Sequence, residues 1–443
     1  MQNQGIRDAR SLGTPKLLVL GLQHMFAMFG ATVLVPALTG LSVSATLLFA
    51  GLGTLFFHFL TKGKVPAFLG SSFAYLAGYA AIAPNGEAAL LPYACVGVAA
   101  SGLLYLILAA LVRGFGANRV MRFFPPVVTG PIIICIGMTL ANSAINNCTG
   151  SWDIALVAII TVIVFNIWGK GMLRIIPILL GVLVSYVYAA VTGRVDFSGV
   201  ASAAWIGLPV KMENTVFSLI GNCDVNLLVT AIIAIMPIAF ATMIEHIGDI
   251  CAISSTVGTN FIADPGLHRT LLGDGLATSI ASLFGAPANT TYGENTGVLA
   301  LTRVYDPLVI RLAAVYAIIA SFCPKFAALV SAMPTGTLGG VSLILYGMIS
   351  AIGVRNLVEN RVDLAKSRNV IVVSLIISLA LGITFSAAGA ITFHVGEFTL
   401  NFSGLAVAAI VGIVVNAILP GKDYNFQNDY EYGKTTEDHG QML

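Results

Sequence analysis

The sequence predicts an all-α polytopic membrane protein with fourteen transmembrane segments arranged as two inverted repeats of seven. Three observations predict this fold class: the composition, the distribution of basic residues between apolar segments, and motifs that recur half a chain apart. Of the 443 residues, 57% are hydrophobic and only 9% are charged, and the mean hydropathy is +0.91. Soluble domains carry roughly 25% charged residues, so this composition excludes a soluble globular protein.

Apolar blocks of about 20 residues, the length that crosses a bilayer, recur along the whole chain. Charged residues, Pro and Gly bound these blocks and define the predicted spans 1 to 14, which lie near 17–38, 43–61, 66–83, 90–112, 125–144, 152–169, 174–192, 226–253, 270–285, 287–303, 306–332, 336–354, 369–389 and 404–420. They leave no room for a sizeable soluble domain.

The basic residues test this count, because Lys and Arg concentrate in the cytoplasmic loops of membrane proteins. With the N-terminus inside, all Lys and Arg residues except Arg194, Lys211 and Lys325 fall in cytoplasmic loops, which is 19 of 22. Dropping one span would place basic residues on both sides. The charge pattern therefore favours fourteen spans in the cell membrane with both termini in the cytoplasm.

Three pairs of short motifs recur at nearly half the chain length. They are "QH" at 23–24 with "EH" at 245–246, "SSF" at 71–73 with "TTY" at 290–292, and "GPIIICIGM" from Gly130 with "GVSLILYGM" from Gly340. Recurrence at a nearly constant offset indicates duplication. Because each half holds seven spans, an odd number, the second copy enters the membrane from the opposite side, and the repeat is inverted. The alternative is that such short matches are coincidence.

Spans 3 and 10 are poor helices, and each begins with a Pro, a polar doublet and an aromatic residue. This pattern predicts a short β-strand leading into a half-helix that begins near Phe73 in span 3 and near Gly293 in span 10. Transporters with inverted repeats build their substrate site near the bilayer midplane from discontinuous helices of this kind. The alternative is that both segments are kinked helices.

Three carboxylates stand out inside the predicted spans: Glu245, Asp249 and Glu294. A charged side chain at the bilayer centre costs about 2.5–3.5 kcal/mol on insertion scales, so embedded acids are usually functional. Glu245 and Asp249 are four residues apart and share one helical face. Two carboxylates that close do not both ionise cheaply in a low dielectric, which makes one of them a predicted proton carrier. The alternative is a polar contact between helices.

Glu294 lies at the predicted start of the half-helix in span 10, where backbone N–H groups lack partners. With Glu245 as a second acceptor, and the rings of Phe73 and Tyr292 as apolar walls, this set complements a small, flat, neutral heterocycle that has both N–H and C=O edges. Carboxylates on both sides disfavour an anionic substrate.

The stretch "ENTGVLALTR" at 294–303 resembles the signature of the nucleobase/ascorbate transporter family: Gln or Glu, Asn, any residue, Gly, four residues, Thr, then usually Arg, Lys or Gly. The resemblance covers almost the whole chain, including "LQHMFAMFGATVLVP" at 22–36, "PAFLGSSFAY" at 66–75, "EHIGD" at 245–249, "DPGLHR" at 264–269 and "GGVSLILYG" at 339–347. With Glu as the first residue of the signature, the sequence is similar to the bacterial members that carry uracil. Purine carriers usually have Gln at this position.

The resemblance implies a core domain from spans 1–4 and 8–11 that moves against a gate domain from spans 5–7 and 12–14. The corresponding units are 1–116 (core, first part), 117–192 (gate, first part), 193–225 (external loop), 226–333 (core, second part), 334–420 (gate, second part) and 421–443 (cytoplasmic tail). It also implies uptake of uracil together with a proton, by alternating access, in a homodimer surrounded by membrane lipid.

The resemblance assigns residues by position. Those that bind substrate are Glu245, Glu294, Phe73, Tyr292, Gly293 and Tyr346, the last from the gate; those that couple the proton are Glu245, Asp249 and Glu294; and those in a supporting polar network are Gln23, His24, Ser72, Thr291 and Asn295. No catalytic residue, metal, cofactor or nucleic-acid partner is implied.

Three other readings stay open at this point. One is a purine (xanthine or urate) or anion carrier of the same architecture. Another is an intramembrane hydrolase that uses Asp249 and a second acid, although no second embedded Asp occurs in a matching motif. The third is a passive channel.

Overall fold

The computed structural model describes residues 5–395 and 398–421 of the chain. In this part the α-helices, in chain order, are α1 (Thr14–Thr39), α2 (Val43–Leu60), α3 (Leu76–Ile82), α4 (Leu91–Phe115), α5 (Ala117–Met121), α6 (Pro126–Cys148), α7 (Trp152–Trp168), α8 (Met172–Ile175), α9 (Pro177–Val191), α10 (Ser198–Ser202), α11 (Val225–Ile235), α12 (Ala239–Val257), α13 (Leu267–Leu283), α14 (Gly293–Thr302), α15 (Pro307–Ser321), α16 (Pro324–Ser331), α17 (Thr335–Glu359), α18 (Ser367–Thr384) and α19 (Gly404–Ile418).

Within the described residues, four strands form two separate two-stranded antiparallel sheets. The strands are β1 (Leu69–Ser71), β2 (Asn289–Thr291), β3 (Ala390–Val395) and β4 (Phe398–Ser403); β1 pairs with β2, and β3 with β4. A one-turn 3₁₀ segment, Phe73–Tyr75, joins β1 to α3. The short strands thus interrupt a helical protein at two places.

Several helices begin where the sequence supplies a capping side chain. Ser42 accepts a hydrogen bond from the backbone N–H of Ala45 at the start of α2, and Asp224 and Asp306 cap α11 and α15 in the same way. An N-cap oxygen satisfies one of the backbone donors that a helix start leaves open. These residues explain why the helix boundaries fall close to the polar positions that separate the apolar blocks.

Seven of the described helices are long and apolar enough to cross a membrane, and α15 with α16 forms an eighth if the bent pair counts as one span. Large apolar side chains such as Ile107, Ile167 and Val187 are more than half exposed on the outer surface. Exposed apolar surface on this scale is unfavourable in water and is expected where lipid covers the protein. The chain is therefore a multi-pass membrane protein.

The predicted span 11, 306–332, is not one continuous helix in the structure. The structure breaks it into α15 and α16, which are bent by 87° relative to each other. Pro324 begins α16, and Cys323 before it is extended, with φ −109° and ψ 90°. A proline disfavours the α conformation of the preceding residue, which explains the break.

The β3–β4 hairpin was not predicted. Apolar and polar residues alternate through Ile391, Phe393 and Val395, and alternation with period two is the signal of a strand. The residues lie beyond the predicted span 13, between two apolar blocks of span length.

Helices α6 and α17 cross with almost no space between their backbones. A Cβ at Gly353 of α17 would lie 2.6 Å from the carbonyl oxygen of Gly130 and 2.6 Å from the backbone nitrogen of Ile134. In membranes, where lipid is as apolar as the side chains, such close backbone packing of small residues is a main source of helix association.

Replacing Gly353 by Ala is therefore expected to destabilise the α6–α17 crossing, because the obstructing atoms are backbone and cannot rotate away. The cost of such overpacking is about 1–3 kcal/mol. Gly347→Ala in the same helix is the matched control, since a Cβ there meets nothing within 4 Å. The measurement is thermal melting of the purified protein in detergent; equal melting temperatures for the two variants would contradict the close crossing.

Candidate functional site

The centre of the candidate site is the two-stranded ladder of β1 and β2. Leu69 pairs with Thr291, Gly70 with Thr290, and Ser71 with Asn289. Two further backbone bonds extend the ladder, from Ser72 N to Ala288 O and from Tyr292 N to Phe68 O, both 3.0 Å. Because the strands are antiparallel, the helical segments that follow them begin at the ladder and run in opposite directions.

Each strand is held from behind by one buried threonine in the same way. Thr54 of α2 accepts from Leu69 N at 2.9 Å and donates to Leu69 O at 3.3 Å. Thr278 of α13 accepts from Asn289 N at 3.2 Å and donates to Asn289 O at 2.7 Å. The two hydroxyls satisfy backbone groups on the outer edge of the ladder, which otherwise would lack partners inside the membrane.

The helical segments begin immediately after the ladder, at Phe73 and at Gly293. Ser72 and Tyr292 precede them, and neither caps the following helix with its side chain. The hydroxyl of Tyr292 instead donates to Ser71 O at 2.8 Å, which locks its ring against β1. Glu294 is the second residue of α14, and its side chain lies outside the described residues.

An aromatic pair joins the β1 end of the site to α17. The rings of Phe73 and Tyr346 meet edge to face, with centroids 6.1 Å apart. Both side chains are buried, at 7% and 1% exposure. Phe73 and Tyr346 are therefore neighbours, as expected if a residue of span 12 lies against the half-helix of span 3.

Helix α12 brings Asp249 to the start of α14. The Thr291 hydroxyl donates to Oδ2 of Asp249 at 3.0 Å, and a Cβ on Gly293 would lie 3.5 Å from Oδ1 of the same carboxylate. Glu245 and Asp249 are partly exposed, on a face of α12 that continues through the exposed Gly248 and Ser255. Both acids thus lie on an open face of α12, and Asp249 contacts the end of the ladder.

The polar pair of α1 contacts α14. The Asn295 amide nitrogen lies 3.4 Å from Nδ1 of His24 and 3.5 Å from His24 O. His24 is fully buried, while Gln23 is half-buried. The structure therefore brings His24 and Asn295 together, one residue beyond Glu294.

Sequence reasoning missed a fourth embedded acid, Asp274 of α13. It is fully buried, accepts a hydrogen bond from the Thr290 hydroxyl at 3.0 Å, and approaches Nδ1 of the equally buried His246 at 3.4 Å. The signal was present in the sequence, because Asp274 is the only acid inside the predicted span 9, 270–285. His246 is buried, whereas Glu245 and Asp249 of the same helix are partly exposed.

A cavity of about 450 Å³ lies elsewhere, between the N-terminal segment and the start of α1. Ile6, Leu12, Val19 and Lys16 are among its lining residues. The lining is mostly apolar and lacks the carboxylates of α12, so the polar groups that could select a heterocycle are at the ladder instead.

Comparison with known proteins identifies the family of the chain. A family model described as the permease family matches residues 15–389. A uracil permease of Bacillus caldolyticus is 42% identical over 437 residues, covering 96% of each chain. A uracil permease of Bacillus subtilis is 40% identical over 451 residues, covering 99% of this chain and 98% of the relative. These names describe transporters and not enzymes.

Among solved structures, the murine anion transporter Slc26a9 in the inward-facing state has the same fold. It is 12% identical with a TM-score of 0.62, and the match covers 91% of this chain and 67% of that one. The resemblance noted from the signature at 294–303 is confirmed by the full-length relatives, and the chain belongs to the permease family that comprises the nucleobase/ascorbate transporters.

Proposed function

We propose that the chain is a symporter that imports uracil together with a proton across the cytoplasmic membrane. The main support for a transport site is the β1–β2 ladder. Two helical segments begin at this ladder, and the open acidic face of α12 lies next to it. The choice of uracil as the substrate rests on the relatives named uracil permease, which match nearly the whole chain.

The chemistry of the site suits a pyrimidine with adjacent N–H and C=O groups. Glu245 and Glu294 would accept the ring N–H groups, and backbone N–H groups near Phe73 and Gly293 would donate to the ring carbonyls. Phe73, Tyr292 and Tyr346 would border the ring. A site of this kind rejects an analogue that lacks a matching group, because its own polar atoms would be left unpaired once the substrate covers them.

The proposal includes two inverted repeats of seven spans, a core (1–116 and 226–333) and a gate (117–192 and 334–420), and movement of one against the other. The matched hydrogen bonds of Thr54 and Thr278 to their strands support the repeat, since α2 and α13 correspond to spans 2 and 9. A homodimer with both termini in the cytoplasm belongs to the same proposal.

Proton coupling is assigned to Glu245, Asp249 and Glu294, and its energetic scale follows from the membrane potential. A neutral base that crosses with one proton gains about 2.3 kcal/mol per 100 mV. At tenfold per 1.4 kcal/mol, this drives roughly fifty-fold accumulation. A carrier of this kind is suited to importing a substrate that is present outside the cell at low concentration.

Uptake of radiolabelled uracil into membrane vesicles tests the proposal. We expect accumulation with an inward proton gradient, and its collapse when an ionophore removes the gradient. Glu294→Gln is expected to lose the gradient-driven part, because an amide can accept a ring N–H but cannot carry a proton. Uptake by the native protein that ignores the gradient would refute coupling.

A competition panel of uracil, thymine, xanthine, hypoxanthine and urate tests the substrate. Uracil is expected to compete best, since the two carboxylates disfavour anionic urate and the pocket is bordered by three aromatic rings. Stronger competition by xanthine or urate would favour a purine carrier on the same architecture.

A further inference from the structure

The buried pair His246 and Asp274 is not among the residues proposed to bind substrate or to couple the proton. Both side chains have 0% exposure, and they lie behind β2, on the side away from the open face of α12. Nε2 of His246 and Oδ1 of Asp274 have no hydrogen-bond partner among the described residues. Burying two such groups is costly unless they neutralise each other or share a proton.

One hydroxyl connects this pair to the open face. Thr291 Oγ1 lies 3.0 Å from Oδ2 of Asp249 and 3.3 Å from Nδ1 of His246. The same nitrogen lies 3.4 Å from Oδ1 of Asp274. Asp249, Thr291, His246 and Asp274 therefore form a continuous chain of polar atoms from the exposed side of the ladder to its buried side.

We propose that Thr291 relays the coupling proton between Asp249 and a holding position on the buried His246–Asp274 pair. The inference rests on the proposed proton coupling and names where the proton resides during transport. Asp249, His246, Thr291 and Asp274 belong to α12, β2 and α13, all within the proposed core, so the proton would travel with the part that carries the substrate.

The transfer balances atom by atom. Protonated Asp249 donates its O–H to Thr291 Oγ1, while the Thr291 hydroxyl donates to Nδ1 of neutral His246. The Asp249 proton moves to Thr291 as the Thr291 hydrogen moves to Nδ1. The products are the Asp249 carboxylate, an intact threonine hydroxyl and an imidazolium beside the Asp274 carboxylate, so the total charge is unchanged.

The other groups around His246 are compatible with this exchange. Rings of Phe57 from α2 and Tyr105 from α4 meet the imidazole edge to face, at 6.3 and 6.4 Å between centroids. Tyr75 and Tyr105 lie within electrostatic reach of Asp274 and Glu245. No Lys or Arg among the described residues pairs with Asp274, so His246 is the cation partner the geometry offers.

The test separates two activities of the full-length protein in vesicles. Exchange of internal unlabelled for external labelled uracil at equal pH needs no net proton movement. Accumulation against a uracil gradient needs a proton that is held and then released. Thr291→Val is expected to lower gradient-driven accumulation at least about tenfold, out of the roughly fifty-fold that coupling to one proton supplies, while exchange falls much less. Thr291→Ser restores the hydroxyl and should accumulate nearly as well as the native protein.

Thr278→Val is the matched control, because it also removes a buried hydroxyl that supports β2, but one whose hydrogen bonds go to the backbone of Asn289. It should keep the native ratio of accumulation to exchange. Equal loss in both variants would mean that Thr291 only supports the strand, and native accumulation in Thr291→Val would refute the relay. If the native protein itself shows no gradient dependence, the proposed coupling fails instead, which is a different outcome.

His246→Gln and Asp274→Asn extend the test to the holding position. Both should keep a measurable share of exchange while accumulation falls at least about tenfold out of the roughly fifty-fold that coupling supplies. If accumulation and exchange fall in proportion in both variants, the pair has a structural role and the proposal is overturned.

Discussion

Replacing Glu245 by Gln is expected to lower uracil uptake at low substrate concentration by between about tenfold and about 150-fold. The range corresponds to the roughly 1.5–3 kcal/mol that a hydrogen bond to a charged group contributes. Glu245 lies on the open face of α12, four residues before Asp249, which the Thr291 hydroxyl ties to the start of α14. Loss of its charge would weaken the hydrogen bond to a ring N–H of the substrate and remove one of the embedded acids.

The measurement is the initial rate of labelled uracil uptake over a range of concentrations, corrected for the amount of protein in the membrane. Glu213→Gln is the control, because Glu213 is the same residue type in an exposed segment, with 73% of its side chain accessible. An unchanged rate and KM in Glu245→Gln would show that Glu245 does not contact the substrate.

Replacing Gly70 by Val is expected to have the largest effect on the folded protein. A Cβ at Gly70 would lie 2.5 Å from the Tyr292 ring and 2.8 Å from the Thr32 hydroxyl. The ring cannot move aside without breaking the bond from its hydroxyl to Ser71 O. Overpacking usually costs about 1–3 kcal/mol, and here it also separates the strands that align the two helix starts.

Thermal melting in detergent and uracil binding measure the result. Gly70→Val should lower the melting temperature and abolish binding together. Gly293→Ala tests the same region for stability alone: its Cβ would lie 3.5 Å from Asp249, an ordinary contact, so its melting temperature should stay close to native. If Gly70→Val melts like the native protein, the tight contact between β1 and Tyr292 does not exist in the membrane.

Much of the architecture follows from the sequence by short-range rules. Long apolar blocks require helices, because a backbone in lipid must satisfy its own hydrogen bonds. The strands in spans 3 and 10 were predicted from the polar doublets at 71–72 and 290–291, and the structure has β1 and β2 there, followed by helical segments that begin at Phe73 and Gly293. These are local properties of the chain.

The partners of each polar side chain could not be derived in this way. The sequence indicates that Glu245 and Asp249 share a face, yet nothing in it says that Thr291 joins Asp249 to His246. Asp274 was passed over because it stands alone in its span and has no neighbour at helical spacing. Its partners, Thr290 and His246, lie 16 and 28 residues away along the chain.

The sequence by itself determined that this chain is a membrane protein, that the helices of spans 3 and 10 are interrupted, and that the chain belongs to its family. Composition, periodicity and motifs depend only on residues that are close together along the chain. Only the tertiary structure decided that β1 pairs with β2 and that a histidine and an aspartate are buried behind them. The strand pairing depends on contacts between residues more than 200 positions apart, such as Gly70 with Thr290, and packing in three dimensions selects it.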